Sequence, residues 1–457
     1  MSGRTRTRLL AFTVAATTFL ASGRAMAHGG SLRGASTESL SVPLWLFLLT
    51  GGGVVSASFV LASFVTDRTF LAAIHGWRRR LATFDDRLAL VARVVGLVAL
   101  AAIVLAGLFG PATPERNLAI LLVWVGWWAG FTSSTYLVGN AWPALNPWRT
   151  LSDLLPSLGG DYPERLGAWP SVVGLLALVW LEVVSPLASD PELLATVVLV
   201  YTAVTLAGAA AFGTDRWFRT VDPVARVFRY YGRVAPVRRT DSGFEVTLPG
   251  ARLVEQKLVT GTDEVAFVIA LLWVTTYDGL VATGLWADAI APVVETGLPP
   301  RAVYLAALLG GYALFLGVYW LATTLSRRRA DTYLTSGAIA RRFAPSLLPI
   351  AAGYHLAHYL GYFLALSPAL FGALSNPTNP PTPVMLVLPS WFGGLEMAFV
   401  LLGHLLAVWV AHTTAYRVFP GRLQAVRSQY ALVAVMILYT MTSMWIVSQP
   451  SLEPPYV

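Results

Sequence analysis

Residues 343–368 read FAPSLLPIAAGYHLAHYLGYFLALSP, an apolar run that is interrupted by two histidines, His355 and His358. As a helix rising ~1.5 Å per residue, a run of this length exceeds the ~30 Å hydrocarbon core of a bilayer. An imidazole at membrane depth is costly and usually faces the interior of a helix bundle, where it marks a site. This stretch therefore predicts transmembrane helices and indicates where to look for function.

The composition of the whole chain agrees with this prediction. Of its residues 56% are hydrophobic and only 12% are charged, whereas about a quarter are charged in an average soluble domain. The chain has no cysteine, which excludes disulfides, iron–sulfur clusters and thiolate metal sites. The fold class predicted is all-α, a polytopic transmembrane helix bundle in the lipid bilayer. The net charge of +8 is assigned to the connections between spans and not to nucleic-acid binding.

The first 27 residues resemble a secretory signal peptide. Three arginines at positions 4, 6 and 8 precede the short apolar segment LLAFTVAATTFLA, and Ala25-Met26-Ala27 supplies a small-x-small cleavage pattern. Cleavage after Ala27 is expected to leave His28 as the amino terminus. A terminal histidine can chelate copper through its amine and imidazole together, so His28 is a further candidate metal ligand.

The apolar runs predict ten spans after the signal peptide. They divide the chain into spans one to five in residues 28–213, a connection at 214–262 with an amphipathic segment and a hairpin, and spans six to ten in residues 263–457. The predicted spans are roughly 43–65, 87–110, 117–138, 169–189, 191–213, 263–284, 301–325, 343–368, 390–413 and 427–448.

The distribution of arginine predicts the orientation of the bundle. Arginines concentrate in alternate connections, such as 78–80, 216–252 and 327–342, whereas the connections SDPE at 189–192 and SNPTNPPTP at 375–383 have none. Because positive residues near spans favour the cytoplasmic side, both termini are expected to be extracytoplasmic in the cell membrane.

Polar residues of several spans are predicted to meet at one depth. His355 and His358, three residues apart, lie ~60° apart on one side of a helix. Counting from the outer ends of two antiparallel spans puts His404 nearly level with His355, and Glu396 within about one turn of His358. Asp278 in span six is a further candidate for lining the same cavity.

Three interpretations of this set stay open. As a metal site, His355, His358 and His404 would be ligands, and Glu396 would be a fourth ligand or a general base. Imidazole and carboxylate ligands suit a divalent metal such as zinc, copper or manganese. As a b-type haem site, which is the less favoured cofactor, His355 and His404 would be axial ligands. The histidines would otherwise bond helices together or relay protons.

Four short motifs resemble a known group of proteins. His28-Gly29 after the signal peptide, NPWRTL at 146–151, YDG at 277–279 and HxxH at 355–358 are similar to motifs of prokaryotic multi-span proteins labelled fenitrothion hydrolase-like. The resemblance implies a metal-dependent hydrolase of organophosphate-type esters, but it transfers no set of catalytic residues. From their predicted depth and chemistry, Glu396 and Asp278 are the candidate catalytic residues of such an enzyme. A small apolar substrate could reach such a site from the lipid.

The division of ten spans into five plus five supports an alternative function. An odd-numbered half inserts inverted relative to the other half, as in many secondary transporters. Glycines interrupt the first span of each half, in LTGGGVVSAS at 49–58 and TTYDGLVATG at 275–284. The alternative is therefore a secondary transporter of a small apolar molecule or a metal ion.

Overall fold

The computed structural model describes residues 44–82, 86–240, 243–255, 258–450 and 452–457 of the chain. It is an all-α helical bundle, which confirms the predicted fold class. In these residues eight helices are long and apolar enough to cross a membrane. They are α3 (Asp86–Phe109), α4 (Leu118–Leu137), α8 (Pro191–Phe212), α10 (Thr262–Val281), α12 (Pro300–Ala330), α13 with α14 (Ser336–Phe343 and Leu348–Ser375), α15 (Phe392–Val418) and α16 (Arg422–Ser448).

Two further apolar segments fall on predicted spans. Helix α1 (Leu44–Ser63) is followed by α2 (Arg68–Gly76), and the chain bends by 114° between them, so that the pair counts at most as one broken span. Helix α7 (Trp169–Val184) has only 16 residues. At ~1.5 Å per residue it covers ~24 Å, slightly less than a hydrocarbon core. The predicted signal peptide at 1–27 and His28 lie outside the described residues.

Shorter elements occupy the connections between the long helices. Turns of 3₁₀ helix also join several of them, for example at Pro114–Arg116 and Ala344–Leu347. The other short elements include α5 (Trp142–Leu145), α6 (Pro147–Ser152), a helical turn at Thr214–Arg216 that continues as π-helix over Trp217–Val221, α9 (Pro223–Tyr231), α11 (Gly284–Glu295), β1 (Arg78–Ala82), β2 (Val237–Thr240) and β3 (Gly243–Thr247).

The connection at 214–262 folds against the bundle. Strands β2 and β3 pair antiparallel on either side of residues 241–242, and β1 adds to the other edge of β3 in the order β1-β3-β2. Helix α9 begins at Pro223 behind Asp222, whose carboxylate accepts a hydrogen bond from the Ala225 N–H at 2.6 Å. This is the usual chemistry of a helix N-cap.

Helix α4 departs from regular α-helix over most of its length. Residues Leu121–Phe131, LLVWVGWWAGF, form an 11-residue π-helix. Such helices are rare, usually one turn long and frequent at functional sites. The bulky side chains of Trp124, Trp127 and Trp128 lie along the part of this wider helix that lines a cavity, described below.

Helix α14, which carries His355 and His358, runs through the centre of the bundle. It crosses α15 at Gly353 and Gly403, where a Cβ added to Gly353 would lie 2.6 Å from the Phe399 carbonyl oxygen. Small residues allow backbones in a membrane bundle to approach this closely. The peripheral helix α3, by contrast, exposes apolar side chains such as Leu88, Leu90 and Val94, as expected of a surface in contact with lipid.

Candidate functional site

A cavity of about 400 Å³ lies beside α4, between it and helices α3, α7, α8, α9, α10 and α14. Its walls are almost entirely apolar and rich in aromatic side chains. The aromatic residues that line it are Trp124, Trp127, Trp128, Phe131, Trp142, Trp148, Tyr201, Phe228, Tyr354 and Tyr359. Its volume lies in the ~300–1,000 Å³ range of small-molecule sites.

Two carboxylates enter this otherwise apolar wall. Asp278 comes from α10 and Glu182 from α7, each a few residues before the end of its helix. The two side chains are close enough to interact electrostatically. Asp278 lies inside α10, which continues to Val281. The neighbouring Gly279 leaves room for Tyr354: a Cβ there would lie 2.1 Å from the tyrosine hydroxyl oxygen.

Asp278 is joined to α14 through two side chains. The Tyr359 hydroxyl donates a hydrogen bond to Asp278 Oδ2 at 3.1 Å, and His358 Nε2 lies 3.6 Å from the same oxygen. All three side chains are buried. A protonated His358 would form an ion pair with Asp278. This group, Glu182, Asp278, His358 and Tyr359, is called the acid–histidine cluster below.

His355 faces α4. Its Nδ1 lies 3.0 Å from the Tyr136 hydroxyl, which donates in turn to Ser133 Oγ. The imidazole stacks on Tyr359, with ring centroids 4.6 Å apart, and meets the edge of Trp128 at 5.2 Å. His355 lines the cavity and is held mainly by aromatic neighbours.

His404 and Glu396 lie on α15, in different surroundings. His404 Nδ1 donates to the Val400 carbonyl oxygen at 2.8 Å, one turn back on its own helix. Glu396 is buried against Gly361 of α14, where an added Cβ would lie 2.9 Å from Glu396 Oε1. Helices α14 and α15 cross at Gly353 and Gly403, within two residues of His355 and His404, so the two histidines lie at a similar depth. Their side chains nevertheless contact different elements.

The candidate metal ligands of the described residues lie in separate parts of the bundle. Within the described residues no group of three or more histidine, aspartate or glutamate side chains is placed to hold a metal ion. His355, His358 and His404 do not converge: His355 bonds Tyr136, His358 approaches Asp278, and His404 bonds Val400. The residues described here therefore do not fit a three-ligand metal centre. His28, the remaining candidate ligand, lies outside them.

The end of the cavity farthest from Asp278 is formed by helix α9. Pro223, Val224, Val227 and Phe228 line it there, and Pro223 packs against Gly174 in the middle of α7. Leu175 and Glu182 both line the cavity and are seven residues apart on α7, so the cavity extends ~10 Å along the bundle.

Buried polar contacts hold α9 in place. Arg226 is 2% exposed, lies 3.3 Å from Glu264 at the start of α10, and donates to the carbonyl oxygens of Arg219 and Thr220. At the N-terminus of α9, the Tyr201 hydroxyl donates to Asp222. Burial raises the pKa of the Asp222 carboxyl to about 6, although hydrogen bonds from Ala225 and Tyr201 act to lower it.

Sequence reasoning missed the aromatic part of the site. Tyr359 follows His358 directly, and the tryptophans of α4 were indistinguishable from an ordinary apolar span. A usable signal was the density of tryptophan in LLVWVGWWAGF, together with a carboxylate in each of two other spans.

Comparison with protein-family models, with curated proteins and with solved structures finds no match to this chain. The resemblance to fenitrothion hydrolase-like proteins accordingly stays a prediction.

Proposed function

We propose that the protein is a multi-pass membrane transporter that binds a lipophilic small molecule in the aromatic cavity and couples its movement to protons. The observation that carries this proposal is the entry of two carboxylates, Glu182 and Asp278, into an apolar cavity at membrane depth. Ionisable residues inside spans are expensive and commonly serve ion pathways and proton relays.

The acid–histidine cluster supplies groups that a proton can occupy in turn. A proton on His358 gives an ion pair with Asp278, whereas a proton shared between Asp278 and Glu182 relieves the repulsion of two nearby carboxylates. A ligand beside Glu182 and Asp278 changes which of these arrangements is preferred. Ligand binding and proton binding are then linked, as proton-coupled transport requires.

The proposal is tested with the neutral lipophilic dye N-phenyl-1-naphthylamine in proteoliposomes that hold an imposed pH gradient. A transporter that carries the dye together with protons, or against them, makes the gradient decay faster, because the dye returns through the lipid and the cycle repeats. The dye is expected to accelerate the decay of the pH gradient with the wild-type protein and with the exposed control Glu192→Gln, and not with Asp278→Asn. Equal decay in wild-type, Asp278→Asn and protein-free vesicles would refute the proposal.

The described geometry gives less support to hydrolysis. Asp278 lines the cavity but His358, the histidine beside it, does not, so this imidazole has no direct access to a ligand there. A metal-activated water would need a donor set that the described residues do not assemble. Metal-dependent hydrolysis of organophosphate-type esters therefore remains a prediction of the sequence resemblance.

We also propose that the protein lies in the plasma membrane with both termini extracytoplasmic. The support is the concentration of arginine in alternate connections. The chain has no cysteine, so single cysteines report sidedness without background. In intact cells a membrane-impermeant maleimide is expected to label Thr378→Cys and not Tyr333→Cys, both of which are exposed positions. The reverse labelling would overturn this orientation.

A further inference from the structure

We infer that the ligand of the cavity is a lipophilic cation, with Glu182 as its ionic partner. This inference rests on the proposed function, because it takes the cavity as the ligand site. It goes beyond that function by specifying the charge of the ligand and the residue that recognises it.

The charge that the side chains of the cavity wall can carry is predominantly negative. Glu182 and Asp278 line it, and no lysine or arginine does so in the part of the chain that the structure describes. Asp278 already accepts a hydrogen bond from Tyr359 and lies beside His358. Glu182 is half-buried and lines the cavity directly, so it is the carboxylate better placed to pair with a ligand.

An anion and a cation differ sharply in such a site. Coulomb interactions are strong where water is scarce, and an anion would have no positive side chain of the wall to pair with. A cation pairs with Glu182 and removes the repulsion between Glu182 and Asp278. The wall therefore discriminates by charge even though most of its surface is apolar.

The aromatic lining favours the same charge. Faces of tryptophan, tyrosine and phenylalanine attract cations, and tryptophan does so most strongly. Trp124 and Trp128 line the cavity from α4, while Trp142 and Phe228 line the opposite end. A small hydrated ammonium ion would lose much solvation in this wall, whereas a large cation with an apolar surface loses little and gains burial.

The test compares two ions of the same shape and opposite charge, tetraphenylphosphonium and tetraphenylborate. Binding to the purified full-length protein is measured by quenching of tryptophan fluorescence and by equilibrium dialysis. Wild-type protein is expected to bind the phosphonium ion at least tenfold more tightly than the borate. Glu182→Gln should weaken phosphonium binding about tenfold, as the loss of one ionic partner in a poorly solvated site predicts.

Two further variants keep this test specific. Glu182→Asp preserves the charge and is expected to recover most of the phosphonium affinity, which separates a charge effect from a packing effect. Glu192→Gln removes an exposed carboxylate outside the cavity and is expected to leave the affinity unchanged. Size-exclusion chromatography of each variant shows whether it is folded.

Equal affinity for the two ions, or an unchanged phosphonium affinity in folded Glu182→Gln, would overturn the inference. So would a failure of Glu182→Asp to bind better than Glu182→Gln. These failures are distinguishable from failure of the proposed function. The pH-gradient assay uses a neutral dye and Asp278→Asn, so it can still give a dye-dependent proton flux when selectivity for cations is absent.

Discussion

The buried ion pair that anchors α9 should be one of the most sensitive points of the fold. Arg226 is 2% exposed, pairs with Glu264 at 3.3 Å and donates to two carbonyl oxygens at 2.9 Å. In Arg226→Met the Glu264 carboxylate loses its most buried partner, although Arg229 remains 3.5 Å away. Breaking a buried pair by removing one member costs about 3–5 kcal/mol. With an unfolding entropy of ~2 cal/mol/K per residue, this corresponds to about 3–5 °C in Tm.

Thermal unfolding in detergent, followed by near-ultraviolet circular dichroism, measures this loss. Arg216→Met is the matched control, because Arg216 pairs with Glu164 across 3.6 Å at an exposed site, where an ion pair contributes about 0–1 kcal/mol. The double variant Arg226→Met/Glu264→Gln should be less destabilised than the sum of the single variants. An Arg226→Met protein as stable as Arg216→Met would refute the argument, and additive effects of the two single substitutions would show that the pair is not coupled.

Three further results are expected. Burial raises the pKa of Asp222 to about 6 from ~3.9 in the unfolded chain, so the folded state binds the proton more tightly. The contribution of this group to the free energy of unfolding is therefore greatest below pH ~4 and falls as the pH rises toward about 6. In denaturation experiments between pH ~4 and ~7, the free energy of unfolding should fall less in Asp222→Asn than in the wild-type protein. Gly353→Val should eliminate the peak of folded protein in size-exclusion chromatography, because the valine side chain would clash with the Phe399 carbonyl oxygen. Gly310→Val places its side chain in open space and should fold normally. Tyr359→Phe removes the hydrogen bond to Asp278 and should alter the pH dependence of dye-driven proton flux; an identical pH profile would exclude Tyr359 from the acid–histidine cluster.

The depth of polar residues along a span follows from sequence, but their direction around the helix does not. Counting residues put His355 level with His404, and the crossing at Gly353 and Gly403 is consistent with that. It could not show that His355 turns toward Tyr136 of α4 while His404 bonds its own helix. In a soluble helix a polar face reveals which side is buried. A span is apolar on all sides, so this signal is absent.

The same argument explains why the contact between His358 and Asp278 of α10 was not predicted. Glu396 was expected within about one turn of the depth of His358, and it lies against Gly361, three residues from His358 on α14. Close contacts such as that of Tyr354 with Gly279 decide which non-consecutive helices pack together. Glycine is too frequent in membrane spans for its position to predict these contacts. Asp278 was nevertheless recognisable as a site residue, because a carboxylate at membrane depth requires a partner wherever the helices place it.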